Sequence, residues 1–541
     1  MFIKFDEIPG HLNLFLDYLY EFDNVKEYYK YNFRDVDSYP DYFKQIASIN
    51  RPEKEKIPDI IKSQYHNFNA SDKTMKNIFL LGTKNAFAVV TGQQLGIMGG
   101  PLYTLYKIIT AIKLADHLNE KYPTNKFVPV FWLEGDDHDF DEVKYIKLLD
   151  DQNKIVNIAY NDELDEEANR GDVGSIVFEK TINSFINEVS GSLRQTDFKE
   201  KVMEFYSGFY KEGKTFKASF KELLFSLFDK YGLVLFDPQD KRLKQLLKPV
   251  FKKEILNFRT HTQKLVETSA KLEEVYHAQV KIHPVNLFFH DSEGRYLIEP
   301  SENEFKLKRK RRKFTQEELI KAIEDTPEHF SPNVLLRPIC QDYLLPTAFY
   351  VGGPSEISYF AQVMPLYKIF NIPEPIIYPR SSATIIEKAS SSVIQKYSVD
   401  LKSLFQNSEE LIEKTIARQS DYTIDGLFQP AIDSINSSFE ELQKKLLIID
   451  KQTSDATIKY KQKADNYLNE LKAKANEANK RKHEITLKQL EKLALAVYPE
   501  KSLQERELNY AYFANKYGLE FLQLIFEKLE INKFDHQIIS L

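Results

Sequence analysis

TGQQLGIMGGPLYTLYK, Thr91 to Lys107, decides how the chain folds. It follows the apolar run FAVV, Phe87 to Val90. It leads into a segment with helical spacing of Leu102, Leu105, Tyr106, Ile109, Ile112 and Leu114. A short apolar run, a glycine-rich break and a 3.6-residue period read as buried strand, tight turn and helix. The next stretch, KFVPVFWLEGDDHDFDEV, supplies a second strand that ends in polar residues. Strand, helix, strand in that order predicts a parallel sheet with a right-handed crossover.

A second block of the same kind comes late. NVLLRPICQDYLLPTAFYVGGPSEISYFAQVMPLYKIF, 333 to 370, reads as one or two strands, a Gly-Gly-Pro turn and a helix. PEPIIYPRSSATII adds a strand ending in arginine and hydroxyls. The expected fold is therefore α/β, a Rossmann-like parallel sheet split by an insertion, with a helical arm. The expected divisions are 1–150, N-terminal helices and the first half of the core; 151–332, a mixed insertion; 333–394, the second half; 395–495, an antiparallel coiled-coil arm; and 496–541, a helical tail on the core. Within the insertion, VNLFFHDSEGRYLIEP predicts a hairpin across D-S-E-G. TQEE, from Thr315, predicts a capping box. In the arm, glycine nearly vanishes. Leu442, Leu446, Ile449, Thr453, Ala456 and Tyr460, then Ala464, Leu468, Leu471, Ala475 and Ala478, step by four and three as a seam does.

The bulk numbers narrow the classes. At 541 residues with 42% hydrophobic and 13% aromatic content, several packed domains fit. A formal charge of −6 argues against a nucleic-acid binder, whose affinity comes from Lys and Arg on phosphates. The basic run LKRKRRK, 307 to 313, reads as a solvated loop. Cys340 is the sole cysteine, which excludes an internal disulfide and a multi-thiolate zinc site. No signal-peptide pattern or membrane-length apolar run is present, so the expected location is cytoplasmic, with no membrane partner.

In an open parallel sheet, ligands bind beyond the carboxyl ends of the strands. Both glycine turns fall there. Gly99 and Gly100, and Gly352 and Gly353 with Ser355 and Glu356, are candidates to hold a phosphate or carboxylate through main-chain N–H groups at a helix start; tight turns without a ligand are the alternative. Gln93, Gln94, Tyr103 and Lys107 flank the first turn. EGDDHDFDE packs six carboxylates and a histidine into nine residues. Asp136, Asp137, His138 and Asp139 in it are candidates to bind an ammonium or act as a base, with the imidazolium favoured by its neighbours; a solvated acidic loop is the alternative. Arg337, Asp342, Arg380, Ser381, Ser382 and Thr384 interrupt expected strands, and the arginines suit an anion. Gln504, Arg506 and Asn509 in the tail form a further candidate group. Neither GxGxxG nor GxxxxGK[ST] occurs, and no metal is expected.

TGQQLGIMGGPLYTLYK, VFWLEGDDHDFDE, LLRPICQDYLLPTAFYVGGPSEISYFAQ and YPRSSATIIE, with SLQERELNY near the end, together resemble the cysteine-adding ligases of bacillithiol biosynthesis. The likeness spans both halves of the sheet, the arm and the tail, and is weakest in the insertion. It implies a core like that of class I aminoacyl-tRNA synthetases, although the HIGH and KMSKS signatures of those enzymes are absent. It implies cysteine and glucosaminyl-malate as substrates, ATP or a comparable donor for activation, and a homodimer formed through the arm. A nucleotide-dependent transferase with another amine acceptor, or a non-catalytic dimeric scaffold, remains an alternative on the residues alone.

Overall fold

The apolar run before Thr91 forms a strand with its side chains buried on both faces. In the computed structural model, which describes residues 1–49, 51, 53–165, 167–419 and 423–541, that strand is β1 (Ala86–Gln94). It lies in a five-stranded parallel sheet with β2 (Lys126–Glu134), β3 (Val234–Phe236), β4 (Thr347–Gly352) and β5 (Ile376–Pro379), in the order β5-β4-β1-β2-β3. Val90 lies opposite Val130 on one side and Tyr350 on the other. The continuous apolar character of these strands follows from burial on both faces.

The helix α1 (Tyr103–Lys121) links β1 to β2. Between β3 and β4 runs α2 (Arg337–Leu344), and α3 (Pro354–Phe370) links β4 to β5. From β1 the strands step outward to β2 and β3; from β4 they step the other way, to β5. Between β1 and β4 the direction reverses, which opens a crevice at their carboxyl ends.

Besides the helical tail, in which His536–Ser540 is instead a strand paired antiparallel with Phe2–Ile3, three expectations need correction. The stretch 151–332 is not wholly separate from the core, because β3 lies within it and pairs with β2, Val130 opposite Val234. VLLRPICQDY is a turn and then, from Arg337, a helix, not a strand. Asn333 Oδ1 accepts from the N–H groups of Leu335 and Leu336, 3.0 Å each. Pro338 occupies the first turn, where its missing N–H costs nothing. The third correction concerns the arm.

The expected hairpin is present, Leu287–Asp291 against Gly294–Ser301, with Asp291 opposite Gly294. It belongs to a second, antiparallel five-stranded sheet. The capping box forms between Thr315 and Glu318 at 2.8 and 3.1 Å. In the basic run, Lys310 pairs with Asp291 and Glu293, and Lys313 with Glu304.

The chain divides into two units, Met1–Thr384 with Ser502–Ile539, and Ile385–Lys501 with Ser540–Leu541. The second is helical and carries the hairpin of α4 (Ile424–Leu446) and α5 (Lys451–Lys482). Residues 420–422 of the expected arm lie outside the described residues. The seam is only in part the one the period suggests: Leu446, Ala464, Leu468 and Ala475 are half-buried, the other expected positions exposed. Ser454 and Thr457 are buried, and Ser454 Oγ donates to Gln443 O across the hairpin at 3.0 Å. Ile449, Tyr460 and Leu471 are exposed. The turn at 447–450 resets the helical phase, so a repeat read straight through it assigns the wrong face.

At the first glycine turn, Met98, Gly99 and Gly100 have φ of +52°, +89° and +68°, a region that favours glycine. A Cβ on Gly96 would sit 2.8 Å from Gly100 Cα. Asn509 Nδ2 donates to Gly100 O at 2.6 Å and Met98 O at 3.1 Å, while its Oδ1 accepts from Ala511 N–H at 2.8 Å. Leu102 N–H donates to Leu508 O at 3.0 Å. The tail thus locks the turn. Asn509→Ala leaves two buried carbonyls unpaired and is expected to lower unfolding free energy by about 1–3 kcal/mol. Urea titration checks this; an unchanged midpoint would return Asn509 to the list of ligand contacts.

Candidate active site

The crevice at the reversal between β1 and β4 holds a cleft of about 520 Å³, of a size for a small ligand. Strand ends and helix starts supply its lining. β1 brings Gly92, Gln93 and Gln94; β2 ends in Glu134 and continues to Asp137 and His138. α1 contributes Tyr103 and Lys107. β4 and the start of α3 contribute Tyr350, Gly353, Ser355 and Glu356; Arg337 comes from α2 and Arg380 from just after β5. Arg506 in the tail and Arg295 in the hairpin also line it.

One group of side chains is cationic and tightly organised. Lys107 Nζ donates to Gly92 O at 3.0 Å and Gln93 Oε1 at 2.8 Å, and pairs with Glu356. Glu356 accepts from Gly353 N–H at 2.8 Å and from Tyr350 OH at 2.6 Å. Burial pushes the Glu356 carboxyl up, but Lys107 and the Gly353 N–H outweigh it and hold it below the usual range. Arg337 donates to Gln341 Oε1 at 2.9 Å and to the hydroxyls of Tyr359 and Tyr350 at 3.1 and 3.3 Å. Arg380 pairs with Glu505 at 2.6 Å and lies over the Tyr103 ring. Arg506 is exposed and has no ion pair among the described residues.

The acidic group is Glu134, Asp137 and Glu142. Gln94 Nε2 bridges Asp137 at 2.6 Å and Glu142 at 2.7 Å. Burial would raise the Asp137 carboxyl, yet hydrogen bonds from His138 and Gln94 and the Arg295 charge hold it well below the carboxylate range. Glu134 differs. Burial, opposed by Arg337 and reinforced by Asp136 and Asp137, pushes it up to about 7. Arg295 Nη1 donates to His138 Nδ1 at 2.8 Å. The same ring nitrogen lies 3.4 Å from Asp137 Oδ1, so the imidazole sits between a guanidinium and a carboxylate.

The structure brings together Gln93, Gln94, Tyr103, Lys107, Asp137, His138, Arg337, Gly353, Ser355, Glu356, Arg380 and Arg506. The other expected residues lie elsewhere. Asp136 is buried against Lys244 at 2.6 Å. Asp139 caps the short helix Phe140–Val143. Asp342 is buried between Tyr367 OH, 2.5 Å, and Gln341, 2.8 Å. Gly99, Gly100 and Asn509 make the locked turn, and Gly352 accepts from Arg380 N–H. Ser381 bonds Glu530 O; Ser382 bonds Glu505 and His536, which Thr384 also meets at 2.8 Å. Gln504 is buried away from the cleft. The shared grip of two glycine turns on one anion is therefore not what is built: Gly100 does not line the cleft, and the Gly353 N–H is already taken by Glu356. Among the described residues, no cluster of three His, Cys, Asp or Glu side chains is arranged to hold a metal ion, and no helix is long and apolar enough to cross a membrane.

Residues missed by the sequence reading include Glu134, Glu142, Arg295 and Tyr350. Glu134 was findable, since it is the last residue of β2 and lies opposite Gln94. Arg295 gave no signal; only the packing of the hairpin brings it to His138.

A doubly wound parallel sheet with a cleft at its switch point, followed by a helical coiled-coil hairpin, defines a Rossmann-like protein with a C-terminal coiled-coil domain. The chain belongs to the BshC family of bacillithiol biosynthesis. The family's N-terminal Rossmann-like domain matches residues 3–381 and its C-terminal coiled-coil domain matches 383–541. Relatives named "Putative cysteine ligase BshC" include one from Salinibacter ruber, 34% identical and covering 98% of this chain and 96% of its own. Another, from Chloroherpeton thalassium, is 34% identical with 97% and 96% covered. A third, from Chlorobaculum tepidum, is 32% identical with 94% and 93% covered. A solved chain described as a putative arginyl-tRNA synthetase from Campylobacter jejuni covers 84% of this chain and 99% of its own, at 12% identity and a TM-score of 0.21.

Lys244 and Asp136 form a buried pair behind the cleft. Lys244→Met strands the carboxylate and is expected to cost about 3–5 kcal/mol. The double change Asp136→Leu with Lys244→Met recovers most of it. Chemical denaturation of both variants checks this; equal losses in the two would show that the pair does not govern stability there.

Proposed function

We propose that this chain is a carbon–nitrogen ligase that joins the carboxyl carbon of L-cysteine to the amino group of glucosaminyl-malate, forming bacillithiol. Family membership supports the reaction class. The observation that carries the substrate assignment is the two-signed cleft: Lys107, Arg337, Arg380 and Arg506 in the same space as Glu134, Asp137 and Glu142. The malate part of the acceptor bears two carboxylates and suits the arginines. Cysteine and the acceptor each bear an ammonium and suit the acids.

A free carboxylate is a poor acyl donor, so the cysteine carboxyl needs activation. ATP, or a comparable donor, supplies it in this reading, and the cations are the groups to oppose its phosphates. Among the described residues Arg506 has no ion pair, so it is a cation open to an incoming anion. Asp137 and Glu142, joined by Gln94, are the ammonium-binding face. The sole cysteine fits a cytoplasmic, reducing setting.

Purified protein given cysteine, glucosaminyl-malate and ATP is expected to form the amide. Arg506→Ala should lower kcat/KM for the acceptor about 10- to 100-fold, as loss of a charge-assisted hydrogen bond does. Serine or alanine accepted as readily as cysteine would move the reading to another transferase. Absence of binding heat with nucleotide, cysteine and acceptor alike would favour a scaffold.

The same reading makes the protein a homodimer through the arm. Leu442, Ile449, Ile458, Tyr460 and Leu471 are exposed apolar residues on the α4–α5 hairpin and the turn joining its helices, which a second copy of the arm could cover. The full chain should sediment as a dimer and a chain lacking residues 440–480 as a monomer; an unchanged subunit count would end this part of the proposal.

A further inference from the structure

The roles assigned above leave one proton unaccounted for. An amine at neutral pH is an ammonium, and its nitrogen has no lone pair to attack with. Some group must take that proton. Asp137 is held too acidic by its hydrogen bonds, Glu356 is neutralised by Lys107, and Asp136 lies outside the cleft against Lys244; Glu142, also raised by burial, is an exposed side chain tied by Gln94 to Asp137.

Glu134 is differently placed. It is the last residue of β2, at the carboxyl edge of the sheet, and it lines the cleft. Its Oε2 accepts from Trp132 Nε1 at 3.1 Å and lies 3.6 Å from Arg337 Nε. Its Oε1 accepts no hydrogen bond among the described residues. One oxygen is anchored and the other is available. The charged groups around it are Arg337 on α2, Asp136 and Asp137 just beyond β2, and Arg295 on the hairpin. Two cations and two anions nearly offset one another, so burial decides. The result is a carboxyl near 7, close to the ideal for a base working at neutral pH.

Resting on the ligase reading, we propose that Glu134 is the catalytic base that accepts the proton of the acceptor's ammonium. The N–H bond breaks with its electron pair left on nitrogen, and the proton passes to the Glu134 carboxylate. The nitrogen then attacks the carbonyl carbon of cysteine activated as a mixed anhydride with phosphate. The new C–N bond forms, the bond from that carbon to the anhydride oxygen breaks, and the phosphate departs with the pair. The nitrogen's second proton leaves to water. Glu134 returns its own proton to solvent at the cleft mouth. The carboxylate form is the competent one, so turnover rises as pH passes upward through about 7 and is lost below it.

The molecule carries its own reporter. Trp132 is the sole tryptophan, and its indole N–H is bonded to Glu134. Intrinsic fluorescence of the wild-type protein should show a transition with midpoint close to pH 7 that is absent in Glu134→Gln. In steady-state assays with cysteine, glucosaminyl-malate and ATP, Glu134→Gln should lower kcat by about 10²–10⁴-fold. Its remaining activity should rise only at the higher pH where the amine itself loses a proton. Glu134→Asp, with the base retained one methylene short, should fall between the two and covers the case in which the glutamine variant does not fold. A Glu134→Gln enzyme whose rate still inflects near pH 7, or whose loss is confined to KM, overturns the assignment while leaving the ligase reading intact. A wild-type protein that forms no amide overturns both.

Discussion

The Lys107–Glu356 ion pair holds the two halves of the sheet's carboxyl edge together. Lys107 belongs to the helix after β1, and Glu356 to the first turn of the helix after β4. Lys107 also binds Gly92 O and the Gln93 side chain, while Glu356 also binds Gly353 N–H and Tyr350 OH. One buried pair thereby fixes the end of β1, the end of β4 and the starts of both crossover helices. Desolvating two charges is costly, and a lone pair of this kind rarely adds net stability. Here each ion has additional hydrogen bonds, and the gain is in position: the crevice at the switch point has a set width.

That arrangement changes what a helix start can do. In many α/β proteins the first N–H groups of the crossover helix meet the ligand's phosphate. In this protein the chain's own carboxylate occupies the Gly353 donor, and a lysine neutralises that carboxylate. On the proposed reading, anion binding passes to guanidinium groups, which are always charged and can engage a carboxylate bidentately. The acids are sorted by the same logic. Asp137 and Glu134 lie three residues apart on one strand end. One collects hydrogen-bond donors and stays ionised; the other has one indole N–H, balanced charges and a buried setting, and its proton affinity rises. Environments that push two carboxyls apart are the usual source of divided roles.

Much of this was legible in the sequence. FAVV before a glycine turn and an amphipathic run after it identify β1 and α1, because buried parallel strands are short and apolar and crossover helices keep their period. Position at a strand end then identifies Gln93, Gln94, Asp137 and Arg380 as cleft residues. What failed did so for stated reasons. Gly99 and Gly100 match a ligand loop by composition, but their partner, Asn509, lies four hundred residues away, and no local pattern reveals it. VLLRPICQDY is apolar enough for a strand, and only the combination of Asn333 as acceptor with Pro338 in the first turn turns it into a helix. In the arm, the period was real and its phase was lost at a turn that the repeat did not mark. Arg295 reached the site through tertiary packing alone.

Sulfur chemistry gives the remaining constraint. Cys340 sits on α2 with no solvent exposure, and burial pushes its thiol far above the ordinary range. It cannot supply a thiolate to the cleft, so a thiol substrate or product there meets no protein sulfur to form a mixed disulfide with. A multi-thiolate metal cannot select cysteine either. On the proposed reading, discrimination falls to shape and polarity: Phe288, Pro332, Val334 and Val280 supply an apolar part of the lining. Such a surface favours the weakly hydrated thiol over the hydroxyl of serine, because a hydroxyl left without a partner carries a desolvation cost that a thiol largely escapes. The polar ends of both substrates can then be read by the charged groups at the strand ends, and the side chain by what those groups leave uncovered.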